Sequence, residues 1–309
     1  MGTALTAVRG KSTRRATSPR SAAKKRKRSP RLKAEALREF GTKLRAWYRR
    51  NARDLPWRKT RDPYAILVSE LMLQQTQVSR VLDFWHRFLQ RFPSLQHLAE
   101  APEGQVLAQW QGLGYYARAR NLHALSRRVL REGARAWGDE PSGSVASNDA
   151  SVGKESSNVS HGTGRDDLRA TRPPVAFAAD GTPSWLPAEA EKLRRLPGIG
   201  AYTAGAVSTF AFERRAALVD TNVARVLARV FAPKLNPKRP RDFTVLWQIS
   251  EATLPRTGKA SWTHNQALME LGALVCTARV KRCEVCPVSR VCRSSETKRT
   301  ASKRAKSVR

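Results

Sequence analysis

All four cysteines of the chain fall within seventeen residues, at Cys276, Cys283, Cys286 and Cys292, in the spacing Cys-x6-Cys-x2-Cys-x5-Cys. With no cysteine elsewhere, they read as one ligand set that the loop must wrap. Tetrahedral thiolates suit an iron–sulfur cluster or zinc. Structural zinc sites usually pair two short knuckles across a longer loop, whereas this run has one, Cys283 to Cys286, flanked by single cysteines. The spacing therefore favours a [4Fe–4S] cluster, with zinc as the alternative. Two disulfides are the remaining possibility, at a cysteine density far below that of secreted disulfide scaffolds. Arg279, Lys281, Arg282 and Arg290 lie between the ligands, so the same loop presents cations that could grip phosphates.

The charge balance points to a polyanionic partner. Lys and Arg number 58 against 25 Asp and Glu, a formal net charge of +33, and a field of that sign and size attracts nucleic acid over long range. Residues 1–33 hold twelve Lys or Arg and no acid, and the tail 294–309 is also basic. Both have few large apolar residues and are expected to be disordered arms that add salt-sensitive affinity for DNA. A second low-complexity stretch, 138–183, is rich in Ser, Gly, Asp, Asn and Thr and reads as a surface insertion. No stretch approaches the roughly 20 apolar residues of a membrane span, and the N-terminus lacks the apolar core of a secretory signal. An intracellular protein associated with DNA is expected, in a bacterial cytoplasm or nucleoid, or in a nucleus or mitochondrion. Nothing in the pattern suggests a symmetric interface, so the expected state is a monomer.

The remainder, about 34–133 and 184–293, is helical in pattern, giving an all-α fold. Leu37, Phe40, Leu44, Trp47 and Tyr48 mark one helix face, and Asp62-Pro63 caps a helix carrying Tyr64, Ile66, Leu67, Leu71 and Met72. Segments 78–92, 115–130, 188–195, 201–212, 221–231 and 265–276 continue the series. Between two of these helices lies Leu196-Pro197-Gly198-Ile199-Gly200. Two glycines around one apolar residue allow a hairpin whose backbone N–H groups come close to an anion, and the next helix N-terminus adds positive potential. That is the recipe of a helix-hairpin-helix phosphate clamp, although an ordinary interhelical turn has the same composition. Asp220 follows twenty residues after Gly200, and on position alone it is an N-cap.

Taken together, the hairpin, the aspartate and the cysteine run resemble the DNA glycosylase superfamily of endonuclease III. Within it, Ser69-Glu70-Leu71-Met72-Leu73-Gln74-Gln75-Thr76-Gln77-Val78 and Gly112-Leu113-Gly114-Tyr115-Tyr116-Ala117-Arg118-Ala119-Arg120 are similar to the adenine DNA glycosylases of MutY type, almost letter for letter. The resemblance implies a monofunctional enzyme that acts on double-stranded DNA and removes adenine mispaired with 8-oxoguanine or guanine. It implies two lobes, one of residues 59–216 with the hairpin and insertion, the other of 34–58 plus 217–293 closed by the cluster. Relatives commonly carry Asp-Gly-Asn where this chain has Asp220-Thr221-Asn222. The chain also ends soon after the cysteines, so the separate 8-oxoguanine-recognition domain of many relatives is expected to be absent.

Hydrolysis of an N-glycosidic bond needs a proton on a poor leaving group and stabilisation of an oxocarbenium-like sugar, work that two carboxylates can divide. Glu70 sits among Val68, Leu71, Met72 and Leu73, where desolvation raises a carboxyl pKa, although on pattern alone it also fits a helix surface. By resemblance Glu70 protonates adenine and then activates water, Asp220 stabilises the sugar cation, and Asn222 helps hold the site. Where endonuclease III carries a nucleophilic lysine, this chain has Tyr202, so no Schiff base is expected; Tyr202 is expected beside the catalytic pair, against the sugar or phosphate. Gln74 and Gln75 are assigned to the opposite strand and vacated stack, and Tyr115 to insertion beside the opposing purine. Two rivals stay open at this point: a superfamily glycosylase of different specificity, acting on thymine in T:G or on damaged pyrimidines, and a catalytically silent iron–sulfur protein that only binds DNA.

Overall fold

A computed structural model describes residues 32–138, 176–177, 179, 181 and 183–295. The basic arm up to residue 31, nearly all of the 138–183 insertion and the tail beyond Ser295 lie outside the described residues. Eleven α-helices carry the described fold: α1 (Ala34–Asn51), α2 (Pro63–Met72), α3 (Val78–Arg91), α4 (Leu95–Glu100), α5 (Glu103–Trp110), α6 (Ala117–Glu132), α7 (Ala190–Leu193), α8 (Ala201–Phe210), α9 (Thr221–Phe231), α10 (Pro240–Thr253) and α11 (Gly258–Leu274). The all-α expectation holds, with one small addition. A two-residue antiparallel ribbon, β1 (Ala176–Phe177) with β2 (Pro183–Ser184), closes the end of the insertion, and Ala179 N–H donates to the Ala211 carbonyl. Four backbone residues are too few to be told from coil by alternation.

Two helices form the centre because they are apolar all round, as only a helix enclosed by others can be. Every residue of α2 is buried, and so is every residue of α8 from Thr203 onward. Asp62 starts α2 by accepting hydrogen bonds from the N–H groups of Tyr64 and Ala65, with Pro63 filling the first turn, where no N–H is missed. α2 and α8 pack on each other, and Gly205 is required on α8 because a Cβ there would meet the Ala217 carbonyl oxygen at 2.1 Å. α3 to α7 complete this group. α1, α9, α10 and α11 form another: Phe40, Leu44 and Tyr48 on α1 repeat at four-residue steps and bury one stripe against α10 and α11. α8 and α11 touch across the boundary between the groups.

A buried ion cluster beside that boundary fastens the segment after α1 to α11. Glu270 on α11 is fully buried, and its Oε1 accepts from the Arg53 backbone N–H at 2.9 Å and from Arg53 Nε at 2.8 Å. Its Oε2 accepts from Arg53 Nη2 at 2.9 Å and from Arg58 Nη2 at 2.7 Å. Burial pushes this carboxyl upward, but the hydrogen bonds from the two arginines outweigh it and hold it down at about 2. The stabilisation is present above the unfolded value of about 4.5 and is lost as pH falls through it toward 2. Glu270→Gln leaves both guanidiniums without a counter-charge, and since Arg53 is one-third exposed the loss is expected at the low end for a broken buried pair, about 3 kcal/mol. Urea unfolding at pH 7 measures it, and the variant's stability should change less between pH 5 and 3 than that of the parent.

Candidate active site

Where the two groups meet, one open cleft is lined by Glu70 and Gln74 to Gln77 from the end of α2, Tyr202 from α8, Asp220 and Asn222 at the start of α9, and Gln266 and Met269 from α11. Glu70 is 3% exposed. Its Oε2 accepts a 2.8 Å hydrogen bond from the Tyr202 hydroxyl, contributed from 132 residues away. Burial drives the Glu70 carboxyl up to about 7; the Tyr202 hydrogen bond opposes this, the Asp220 charge reinforces it, and the Arg58 cation opposes it. A carboxyl with that value is half protonated at neutral pH, which is what a general acid requires. Tyr202 is itself raised well above its ordinary value, by burial and then by the charges of Glu70 and Asp220, so it remains a hydroxyl donor.

Asp220 caps α9. Oδ1 accepts from Val223 N–H at 2.6 Å and Oδ2 from Asn222 Nδ2 at 3.1 Å. Burial raises its pKa on balance, against the lowering effect of the Val223 and Asn222 hydrogen bonds and the Arg225 charge. The N-cap expectation and the functional one therefore describe the same carboxylate: the cap fixes it, with its charge at the positive end of a helix. Thr221, which stands where relatives commonly have glycine, enters α9 as its first residue without distorting the cap. Asn222 Oδ1 accepts from Arg225 Nη2 at 2.8 Å, and Arg225 Nε donates to the Cys276 carbonyl at 3.0 Å. One turn on, Arg229 Nη1 reaches the Cys276 Sγ at 3.2 Å. Hydrogen bonds thus run without a break from Asp220 to the first cysteine.

All four cysteines are free, which removes the disulfide alternative, and all four line one cavity closed by Val226, Val230 and Leu271. Burial pushes Cys286 up to about 11, helped by the neighbouring charges of Cys276, Cys292 and Cys283. Among the described residues no group of three or more His, Cys, Asp or Glu converges tightly enough for one metal ion. Four thiols line a common apolar-backed cavity, with a guanidinium against one sulfur, a donor set that suits an iron–sulfur cluster or zinc.

The other expected residues sit around this centre. Gln74 is half-buried, with Nε2 at 3.5 Å from the Thr203 hydroxyl, and Gln75 is exposed in a left-handed conformation at φ 58°. Tyr115 does not line the cleft; it stands 59% exposed on the loop before α6, also left-handed, at φ 51°. The segment Pro197, Gly198, Ile199 and Gly200 forms the turn into α8, outside the cleft. Ile199 is buried as its anchor. Gly198 has φ 74°, and a Cβ there would lie 2.5 Å from the Asn121 Cβ, so glycine is demanded on both counts. The helix before this turn is shorter than expected, a single turn at α7. Arg58, Gln266 and Met269 at the cleft were not foreseen. Gln266 did carry a signal: a buried amide in the middle of a helix, 4% exposed, is costly without a task.

Residues 68–248 match the HhH-GPD superfamily of base excision DNA repair proteins. The chain belongs to that superfamily. Among its HhH-GPD relatives, the adenine DNA glycosylase of Rattus norvegicus is 36% identical over 266 residues, which cover 83% of this chain and 42% of the relative. The adenine DNA glycosylase of Mycobacterium tuberculosis strain H37Rv is 37% identical over 251 residues, covering 80% and 65%. The chain thus spans less than half of the mammalian relative and just under two-thirds of the mycobacterial one. A thermostable thymine-DNA glycosylase superposes with a TM-score of 0.62 at 25% identity, covering 85% of this chain and 98% of that one. An endonuclease III trapped as a covalent DNA intermediate superposes with a TM-score of 0.58 over 86% and 99%, at 18% identity, a likeness of fold.

Proposed function

We propose that this chain is a monofunctional adenine DNA glycosylase that hydrolyses the N-glycosidic bond of adenine mispaired with 8-oxoguanine or guanine, and that it acts as a monomer on double-stranded DNA. The observation that carries this reading is the pairing of two environments in one cleft: a buried Glu70 at about 7, held by Tyr202, beside Asp220 held by a helix cap. Burial raises both carboxyls, but the N–H donors of the helix cap converge on Asp220 and favour its charged form, which assigns Glu70 as the acid and Asp220 as the ion. Glu70 donates its proton to the departing base, and the resulting carboxylate orients water for attack. Asp220, with its Oδ atoms fixed by Val223 and Asn222, stabilises positive charge on the sugar as the carboxylate that these donors favour. Asn222 and Tyr202 hold the two carboxyls in register. Gln74, Gln75 and Tyr115 take the opposite strand and the gap left by the extruded base, and the turn Pro197 to Gly200 grips backbone phosphate with its exposed glycines. The adenine DNA glycosylase relatives support the choice of base.

Two lobes, 59–216 and 34–58 plus 217–293, follow from the same reading, with DNA across the cleft. Cys276, Cys283, Cys286 and Cys292 would hold a [4Fe–4S] cluster, which supplies a rigid, charged anchor for the loop bearing Arg279, Lys281 and Arg282 and takes no part in hydrolysis. Purified protein should contain iron and labile sulfide in equal amounts and little zinc. Cys286→Ser should lose both and melt at lower temperature; a protein carrying zinc alone contradicts the assignment.

Strand scission tests the monofunctional reading. Because no amine stands at Tyr202, a duplex carrying adenine opposite 8-oxoguanine should be cut only after alkali, and borohydride should trap no covalent complex. Cutting without alkali, or trapping, counts against it. The structural likeness to a thymine-DNA glycosylase favours one second reading, thymine removal from T:G.

A further inference from the structure

Arg118 on α6 is buried, 7% exposed, yet no carboxylate faces its guanidinium among the described residues. Its hydrogen bonds go mostly to backbone carbonyls, at the end of α2 with the loop that follows it and on the loop before α6. Nη1 donates to Leu71 and Met72 at 2.8 Å and to Gln74 at 2.5 Å, all at the C-terminal end of the helix that carries Glu70. Nη2 donates to Gly114 at 3.0 Å and to the Thr76 hydroxyl at 3.2 Å. The guanidinium also stands 5.4 Å from the Tyr115 ring centroid, within cation–π range.

Each of these loops carries a bulky residue in the left-handed region, Gln75 and Tyr115. Such a conformation costs free energy and persists only where surroundings over-determine it. A guanidinium with five N–H donors in a fixed fork can do so for both loops at once; an ammonium, a point charge with rotatable donors, cannot. The helix C-terminus is also the negative end of the α2 dipole, so the cation is electrostatically matched to that place.

We infer that Arg118 is the positioning residue for base extrusion, its guanidinium fastening the Gln74–Thr76 loop to the Gly114–Tyr115 loop so that both probes enter the duplex as one unit. The inference rests on the proposed reading of Gln75 and Tyr115 as the residues that enter DNA. It acts through those residues and touches no reacting atom.

The test uses the full-length protein and a duplex with 2-aminopurine at the target adenine position opposite 8-oxoguanine, at protein concentrations that saturate binding. With the parent protein, fluorescence should rise as the base leaves the stack. Arg118→Lys should bind yet lose most of the rise per bound complex, and on the adenine duplex its single-turnover rate should fall about a hundredfold, the scale of a displacement of about 1 Å at a reacting centre. Tyr115→Ala should behave alike, and adding Arg118→Lys to it should cost little more, because the two act as one unit. Arg118→Met is the harsher variant; if it does not fold, the lysine variant still decides. An Arg118→Lys protein with weaker binding or lower melting temperature but an undiminished rise per bound complex would overturn the inference, leaving Arg118 a residue of the core. A parent that gives a rise which Arg118→Lys loses, yet releases no adenine, would sink the glycosylase reading while leaving the positioning role supported.

Discussion

Glu70→Gln should abolish adenine release, with a loss of about three to four orders of magnitude in single-turnover rate, while DNA binding persists. The amide is isosteric and can still accept the Tyr202 hydrogen bond, so the cleft keeps its shape. It can neither deliver a proton nor activate water, and a positioned acid–base group contributes roughly 10² to 10⁴-fold, here in both roles. The parent should show a rate that falls as pH rises through about 7, where Glu70 loses the proton it must donate. Stability moves the other way from the usual carboxylate. The folded value lies above the unfolded 4.5, so the native state binds more protons between 4.5 and 7, and the parent loses stability as pH rises through that window. At pH 8 Glu70→Gln is relieved of an ionised buried carboxyl, and should be more stable than the parent by up to about 3 kcal/mol. Activity and stability shifting in opposite directions would mark Glu70 as a strained functional group.

Asp220→Asn is expected to reduce adenine release by about three orders of magnitude with only a small fall in melting temperature, from the loss of the acceptor for Asn222 Nδ2. Asparagine is as good an N-cap as aspartate, so Val223 N–H keeps an acceptor and α9 keeps its start. What is lost is the negative charge that stabilises the sugar cation, and a pre-organised electrostatic partner of this sort is worth about 10² to 10³ or more in rate. Rates below those of the parent at every pH, with the Glu70 limb kept but moved to lower pH because the Asp220 charge no longer raises it, would separate this defect from that of Glu70→Gln. A variant with near-parental activity would remove Asp220 from the mechanism and leave it a cap.

The helices that position the cleft were legible because their faces are. Residues 78–91 and 221–231 repeat apolar positions at helical spacing and start and stop close to the expected places. α4, α5 and α10 were not named in advance: α4 and α5 have six and eight residues, too short to establish a period, whereas α10 buries Val245, Leu246 and Ile249 at helical spacing, a pattern that the sequence already carries. α11 begins at Gly258, seven residues before the expected 265, since its first turns hold Lys259, Thr263 and His264 rather than a clear apolar stripe.

At the site, local motifs pointed to individual residues and long-range geometry decided what they do. On pattern alone Glu70 also fitted a helix surface, and only the resemblance gave it the acid role; α8 brings Tyr202 onto it and the cleft buries it. Glu270 and Arg53 are 217 positions apart, a separation at which no pattern of charge announces a pair. Arg118 stood within the quoted tyrosine motif, but its partners are main-chain carbonyls, which every residue possesses and which no sequence pattern marks as acceptors. The cysteines were legible from spacing alone as a set; the guanidinium of Arg229 against Cys276 became visible only when α9 was placed beside the loop.

The most direct measurement is the identity of the free base released in single turnover from four otherwise identical duplexes, carrying adenine opposite 8-oxoguanine, adenine opposite guanine, thymine opposite guanine, and a matched thymine:adenine pair. Adenine freed from the first two, with nothing from the others, is the predicted result. Free thymine from the T:G duplex, with adenine retained in every other, would contradict the account and move the chain to the thymine reading.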